Sequence, residues 1–180
     1  GILLVQGRGE ALKRIFYISL IGAIIILVDQ FTKGAVQDHF YLGESKVIIE
    51  GFFNLTYVRN KGAAFGMGAT APDWVRSVFF LYLPVAACFY LLYLVWVSRN
   101  LKNWMPCFAY GLIFAGAVGN LIDRFMLSYV VDFLDFYIKT SHFPAFNVAD
   151  SSISIAAGLL ILDLILESKR KDDGQEEKKS

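Results

Sequence analysis

Metal and thiol chemistry is scarcely provided for in this chain. Its two histidines, His39 and His142, and two cysteines, Cys88 and Cys107, form no C-x-x-C, H-x-x-x-H or H-E-x-x-H spacing, which argues against a protein-built zinc site. Both cysteines lie inside apolar runs, so they are expected to pack as small apolar residues and not to form a disulfide framework. No serine sits in a Gly-x-Ser-x-Gly elbow. Charge is scarce as well: 18% of residues are Asp, Glu, Lys or Arg, against about 25% in ordinary globular chains. A formal net charge of +1 gives no reason to expect a nucleic-acid partner. What the chain has in excess is apolar surface, at 56% hydrophobic residues with 16 Phe and 9 Tyr.

That surplus is arranged in runs. A helix needs about 20 apolar residues to cross a bilayer. Val78 to Val97 and Trp104 to Ile122 carry no charge. Ile15 to Val28 is uncharged and continues to Ala35 if Asp29 and Lys33 are admitted, and Phe143 to Leu166 is apolar apart from Asp150 and Asp163. Four spans follow, over about 15–35, 75–97, 104–127 and 143–167. Arg8, Lys13 and Arg14 precede the first, Arg99 and Lys102 lie between the second and third, and Lys169, Arg170 and Lys171 follow the fourth. With four spans these basic groups share one side, which the positive-inside rule makes the cytoplasm, with both termini inside. No small-x-small cleavage signal follows the first span, so it is expected to stay as an anchor.

Residues 41–58 are rich in β-branched and aromatic side chains and are punctuated by Gly43 and Gly51. Two or three short strands outside the membrane are expected there. Residues 63–68 suit a short amphipathic helix on the bilayer surface. The fold class expected is a mainly α membrane protein: four transmembrane helices, a small extracytoplasmic β-sheet cradle over about 37–73 and a short surface helix. Residues 1–168 form a single domain, and the charged tail 169–180 is expected to be disordered. Gly111, Ala115 and Gly119 recur every four positions, which suits close helix packing in lipid.

Ionisable groups inside spans are costly and are functional candidates by default. At about 1.5 Å per residue, Asp29 lies about 20 Å along the first span, Asn120 about 24 Å along the third, and Asp150 about 10 Å inside the fourth from its outer end. Three spans thus bring polar groups to a similar depth in the outer leaflet. Asp29 and Lys33 are spaced i,i+4 on one face, Asn147 and Asp150 i,i+3, and Asn120 is expected to face the same way as Asp123 and Arg124. Asp132 stands just beyond the third span in Val-Val-Asp-Phe. Two neighbouring carboxylates, Asp132 and Asp150, can share a proton, so that one acts as general base on water and the other as proton donor. Plainer roles compete at this stage. Asp132 as a loop carboxylate, Asp150 as a helix-dipole partner and Asp29–Lys33 as a structural ion pair each fit the sequence. So does a structural role for Asn120, Asp123 and Arg124.

Five motifs carry a resemblance that these single residues do not. Val28-Asp-Gln-Phe-Thr-Lys33, Asn60-Lys-Gly-Ala-Ala-Phe65, Gly119-Asn-Leu-Ile-Asp-Arg124, Val130-Val-Asp-Phe133 and Phe143-Pro-Ala-Phe-Asn-Val-Ala-Asp-Ser151 occur in order. In these the chain resembles the lipoprotein signal peptidases, the signal peptidase II family. The resemblance implies an aspartic endopeptidase of the bacterial inner membrane, with its site near the outer leaflet and a dyad at Asp132 and Asp150. It implies that Asn60, Asn120, Arg124 and Asn147 line that site, with Asp29 and Lys33 in support, and Asp123 neighbours Arg124. It implies no cofactor, membrane-lipid contact, prolipoprotein substrates carrying a diacylglyceryl group, cleavage just before the modified lipobox cysteine, and inhibition by globomycin-type cyclic peptides. A transporter or channel subunit is the main competing class. Against it, no polar residue in spans one, three or four continues a path inward except Asp163, and there is no inverted repeat. An intramembrane aspartic protease of another kind would commonly carry Gly-x-Gly-Asp, which is absent.

Overall fold

A computed structural model describes the backbone over residues 2–62 and 71–176, with side chains over 9–62, 71–75 and 77–170. The expected surface helix at 63–68 lies outside the described residues. Helix α1 runs Ile2–His39, and strands β1 (Ser45–Ile49) and β2 (Phe53–Asn60) follow. A second long helical stretch comprises α2 (Asp73–Ser77), a π-helical segment (Val78–Tyr82) and α3 (Leu83–Ser98). Helix α4 spans Met105–Leu127, β3 Val130–Ile138, β4 Ser141–His142 and α5 Val148–Glu176. Within these, Gly9–His39, Asp73–Ser98, Met105–Leu127 and Val148–Arg170 are long and apolar enough to cross a membrane. Most large apolar side chains on them are exposed, as lipid-facing residues are, because hydrocarbon replaces the protein core as their apolar surroundings.

The π segment has a local cause. Pro84 has no N–H to give the fourth carbonyl before it, and its ring crowds that turn. The helix widens just before it, where Leu83 N–H bonds the Val78 carbonyl, instead of breaking. At the end carrying the basic residues, Arg14 Nη1 donates to the carbonyls of Arg99 (3.1 Å) and Leu101 (2.6 Å). Asn103 donates to Asp163. Asp163 is therefore tied to the turn between α3 and α4.

Helix α4 is the hub. A Cβ added at Gly111 would collide with Ile18 of α1, and one at Gly119 would lie 2.7 Å from Asp29 Oδ2. The small-residue stripe thus faces α1. Gly116, 100° around the helix, faces α5 instead: a Cβ there would collide with the Ala149 carbonyl and lie 2.7 Å from Ser152 Oγ. Ser152 in turn donates to the Leu112 carbonyl at 3.0 Å. Close approach through small residues is how helices gain contact in lipid, where no hydrophobic force drives them together. Gly116→Val is expected to wedge α4 from α5 and to lower stability by about 1–3 kcal/mol. A thermal melt in detergent checks it, and an unchanged midpoint would mean that the seam is loose.

Four strands form an antiparallel sheet in the order β1-β2-β3-β4. Two of these were expected at residues 41–58. The other two, at 130–142, were not, because the segment around Asp132 looked like a loop. Val58 pairs with Asp132 and Asn60 with Val130. Asn60 and Asp132 therefore lie diagonally on one face of the sheet, within side-chain reach. Tyr57, Val131 and Phe133 pack with Val36 of α1 in a buried cluster that seats the sheet on the helices. Helix α5 begins at Val148, not Phe143. Residues 143–146 lie along the sheet, with Phe143 N–H bonded to the Phe136 carbonyl (2.8 Å) and Phe146 N–H to the Leu134 carbonyl (3.1 Å). At the other end α5 runs to Glu176, through most of the segment expected to be disordered.

Candidate active site

Asn147 is the pivot of the site. It precedes α5, and its side-chain Oδ1 accepts the Asp150 N–H at 2.9 Å, the contact of an N-cap. That contact orients the amide, so Nδ2 points the other way. Nδ2 reaches Asp132 Oδ1 at 2.8 Å, Asn120 Oδ1 at 3.1 Å and the Val131 carbonyl at 3.2 Å. Asn120, on α4, donates from its own Nδ2 to Asp150 Oδ1 at 2.7 Å. Asn60 donates to Asp132 Oδ2 at 3.1 Å. Two carboxylates, one on β3 and one in the first turn of α5, are thus joined through a lattice of three asparagines.

A buried charge cluster lies behind that lattice. Lys33 Nζ is 2.8 Å from Asp29 Oδ2 and 3.0 Å from Asp123 Oδ2, and it donates to Asn120 Oδ1 at 3.0 Å. Exposure of the three ionic side chains is 2%, 0% and 3%. Buried charges survive only when paired and hydrogen-bonded, and here every remaining oxygen finds a donor. Asp29 Oδ1 accepts the Ala149 N–H (2.9 Å) and Asp123 Oδ2 accepts the Val131 N–H (3.0 Å). Asp123 Oδ1 accepts Gln30 Nε2 (2.9 Å). Both backbone donors adjoin the site: Val131 precedes Asp132 and Ala149 precedes Asp150. The cluster therefore anchors the two chain segments that carry the carboxylates.

Asp132 sits in a dry place. Burial, and after it the charge of Asp150, push its carboxyl up to about 7, against the opposing pull of Asn60, Asn147 and Lys33. Asp132 is 3% exposed.

Eight of the nine residues singled out in sequence meet here: Asp29, Lys33, Asn60, Asn120, Asp123, Asp132, Asn147 and Asp150. Arg124 does not share the orientation expected for it. Successive helical residues diverge by about 100°, so Asp123 faces α1 while Arg124 faces a neighbouring cleft. There it stands 5.8 Å from the Phe80 ring centre, with Nη2 3.4 Å from the Gly62 carbonyl. It stays within Coulombic range of Asp150, Asp132 and Asp123. Gln30 was missed. It bonds Asp29, Asp123 and the Gly119 carbonyl, and its signal was available as an uncharged polar group within a span. His142, on β4, stacks on Tyr137 and bonds Asp135 at 2.8 Å, away from this network. Among the described residues, no group of three or more His, Cys, Asp or Glu could hold a metal ion.

Four span-length helices among the described residues, around such a polar centre, fit a multi-pass membrane protein. A solved structure described as a bacterial membrane enzyme superposes with a TM-score of 0.75 at 34% identity, covering 87% of this chain and 92% of that one. A second, also described as a bacterial membrane enzyme, gives 0.69 at 34% identity over 83% and 93%. The chain belongs to the signal peptidase II family: the sequence model described as "Signal peptidase (SPase) II" matches residues 21–166. It is 45% identical over 160 residues to the lipoprotein signal peptidase of Syntrophus aciditrophicus (strain SB), covering 88% of this chain and 98% of the relative. It is 49% identical over 154 residues to that of Shewanella loihica (strain ATCC BAA-1088 / PV-4), covering 85% and 88%. The protein is accordingly a peptidase of the membrane.

Proposed function

We propose that the protein is an aspartic endopeptidase that removes signal peptides from diacylglyceryl-modified prolipoproteins, cutting just before the modified lipobox cysteine. The observation that carries this is the asparagine lattice joining Asp132 and Asp150. Two carboxyls this closely coupled hold one proton between them. The ionised member takes a proton from the attacking water while the protonated member donates to the scissile carbonyl oxygen. No covalent intermediate is needed.

Positive-inside asymmetry puts both termini in the cytoplasm and the sheet outside, so the dyad works at the outer-leaflet surface of the inner membrane. Substrate acyl chains in that leaflet hold the modified cysteine at a set depth. The scissile bond then arrives already positioned, which lowers the barrier by removing orientational freedom. Cyclic peptides of the globomycin type would compete by occupying the same ground.

A synthetic precursor prepared with and without its diacylglyceryl group tests the substrate. The purified protein is expected to cleave the modified form with a kcat/KM at least about tenfold higher, since a second membrane anchor adds about 0.8 kcal/mol per buried methylene. Equal processing of both forms would remove lipid-guided recognition.

A further inference from the structure

A cleft of about 570 Å³ opens beside the dyad, between the end of β2, α2 with its π segment, and the outer end of α4. Its charged lining is three cations, Arg59, Lys61 and Arg124, and one anion, Asp73. Arg59 is exposed there and oriented by two tyrosines. Its guanidinium lies 4.7 Å from the Tyr129 ring centre and 5.4 Å from that of Tyr57, and its Nε donates to the Tyr57 hydroxyl at 2.9 Å. The two terminal amino groups have no hydrogen-bond partner among the described residues. Tyr57 is itself buried, 3% exposed, in the cluster that seats the sheet. The result is a guanidinium oriented by two rings with its outer fork unused, one residue along β2 from Asn60, the partner of Asp132.

A planar fork with free N–H groups is built for a carboxylate, which it can take bidentately with little further ordering. The position says which one. Under the function proposed above, the signal sequence lies inward, within the bilayer, and the retained polypeptide leaves outward from the dyad. The cleft stands on that outward side, at Leu127, the last residue of α4, and at Ser128 and Tyr129 beyond it. We propose that Arg59 is a specificity residue, which binds an acidic side chain in the substrate segment immediately following the modified cysteine. The inference rests on the peptidase reading.

Three lipid-modified peptides, with Asp, Asn or Lys directly after the cysteine, test it with the full-length protein in an uncharged detergent. The Asp peptide is expected to have a KM about fivefold below that of the Asn peptide, the size of a well-aligned but solvent-reached ion pair, and the Lys peptide a KM above both. In Arg59→Gln the Asp-to-Asn ratio falls to about one, and in Arg59→Glu the order reverses in favour of Lys. Should these variants fold poorly, the wild-type protein still decides. Its Asp preference must shrink as salt is raised from low ionic strength to about 0.5 M, because a cleft-exposed pair is screened. Cleavage of all three peptides with equal KM overturns the inference and leaves the peptidase reading standing, whereas no cleavage of any peptide sinks both. Charge-blind cleavage that instead becomes Arg59-dependent on adding phosphatidylglycerol would assign the fork to a lipid phosphate and overturn the inference too.

Discussion

Asn in place of Asp150 or of Asp132 is expected to lower kcat/KM on a lipid-modified precursor by about 10²–10⁴-fold, the range removed with a general acid or base. The two substitutions should differ in stability. Asp150 presents Oδ1 to Asn120, and an asparagine amide can present its own oxygen there, so Asp150→Asn should melt close to wild type. Asp132 accepts from Asn147 on one oxygen and from Asn60 on the other. An amide offers only one oxygen, so Asp132→Asn sets a donor against a donor and costs about 1–3 kcal/mol more. Activity loss without melting loss in Asp150→Asn would separate chemistry from folding. Near-normal cleavage by both variants would end the dyad.

The same carboxyl sets a pH dependence whose sign is opposite to that of a salt-bridged aspartate. In the folded protein Asp132 keeps its proton up to about pH 7, whereas the ordinary value is 3.8. Between those limits the folded state binds more protons than the unfolded chain, so stability falls as pH rises. The contribution is fully present below about 3.8 and lost by about 7. Asp132→Asn should flatten that slope. Asn60 stabilises the charged form, so Asn60→Ala should move the basic limb of kcat/KM to higher pH.

Sequence alone went far where the membrane simplifies the physics. An uncharged run of span length has few alternatives in a bilayer, and Asp29, Lys33, Asn120 and Asp150 stand out because nothing around them is polar. It went less far where structure depends on distant pairing. β3 contains Val130-Val-Asp-Phe-Leu, whose strand character is fixed by its register against β2, some 70 residues earlier. Residues 143–146 are as apolar as a helix start, but Pro144 keeps Phe143 out of the helical region, and their backbone completes the sheet edge. Asn60 is an ordinary polar residue by composition. The resemblance singled it out, and only the diagonal pairing across β2 and β3 gives it a physical reason. Gln30 went unnoticed beside Asp29, although burying an unpaired amide in a span costs enough to demand partners.

The second large effect is expected at Lys33. Its ammonium is the only cation in contact with Asp29 and Asp123 among the described residues. Lys33→Met leaves two carboxylates facing each other in a dry interior, and breaking a buried pair in this way costs about 3–5 kcal/mol. Much of a marginal protein's stability would go, so low yield and a sharply lowered melting midpoint are expected. Combining Lys33→Met with Asp29→Asn and Asp123→Asn removes the stranded charges, and replacing a whole buried ionic group with neutral ones is often tolerated. The triple variant should therefore melt above Lys33→Met, though below wild type, because each new amide sets a donor against Gln30 Nε2 or a backbone N–H. It should not recover full activity, because Lys33 also donates to the Asn120 oxygen, the oxygen that Asn147 shares. Without that charge the lattice between Asp132 and Asp150 loses its fixed donor. A melting midpoint raised above that of Lys33→Met, with kcat still depressed, is thus the signature of a lysine that both balances buried charge and positions the asparagines. If Lys33→Met alone melted within about 1 kcal/mol of wild type, an exposed-pair value, Asp29 and Asp123 would have to take up protons at little cost, and the cluster would not be an ionic anchor.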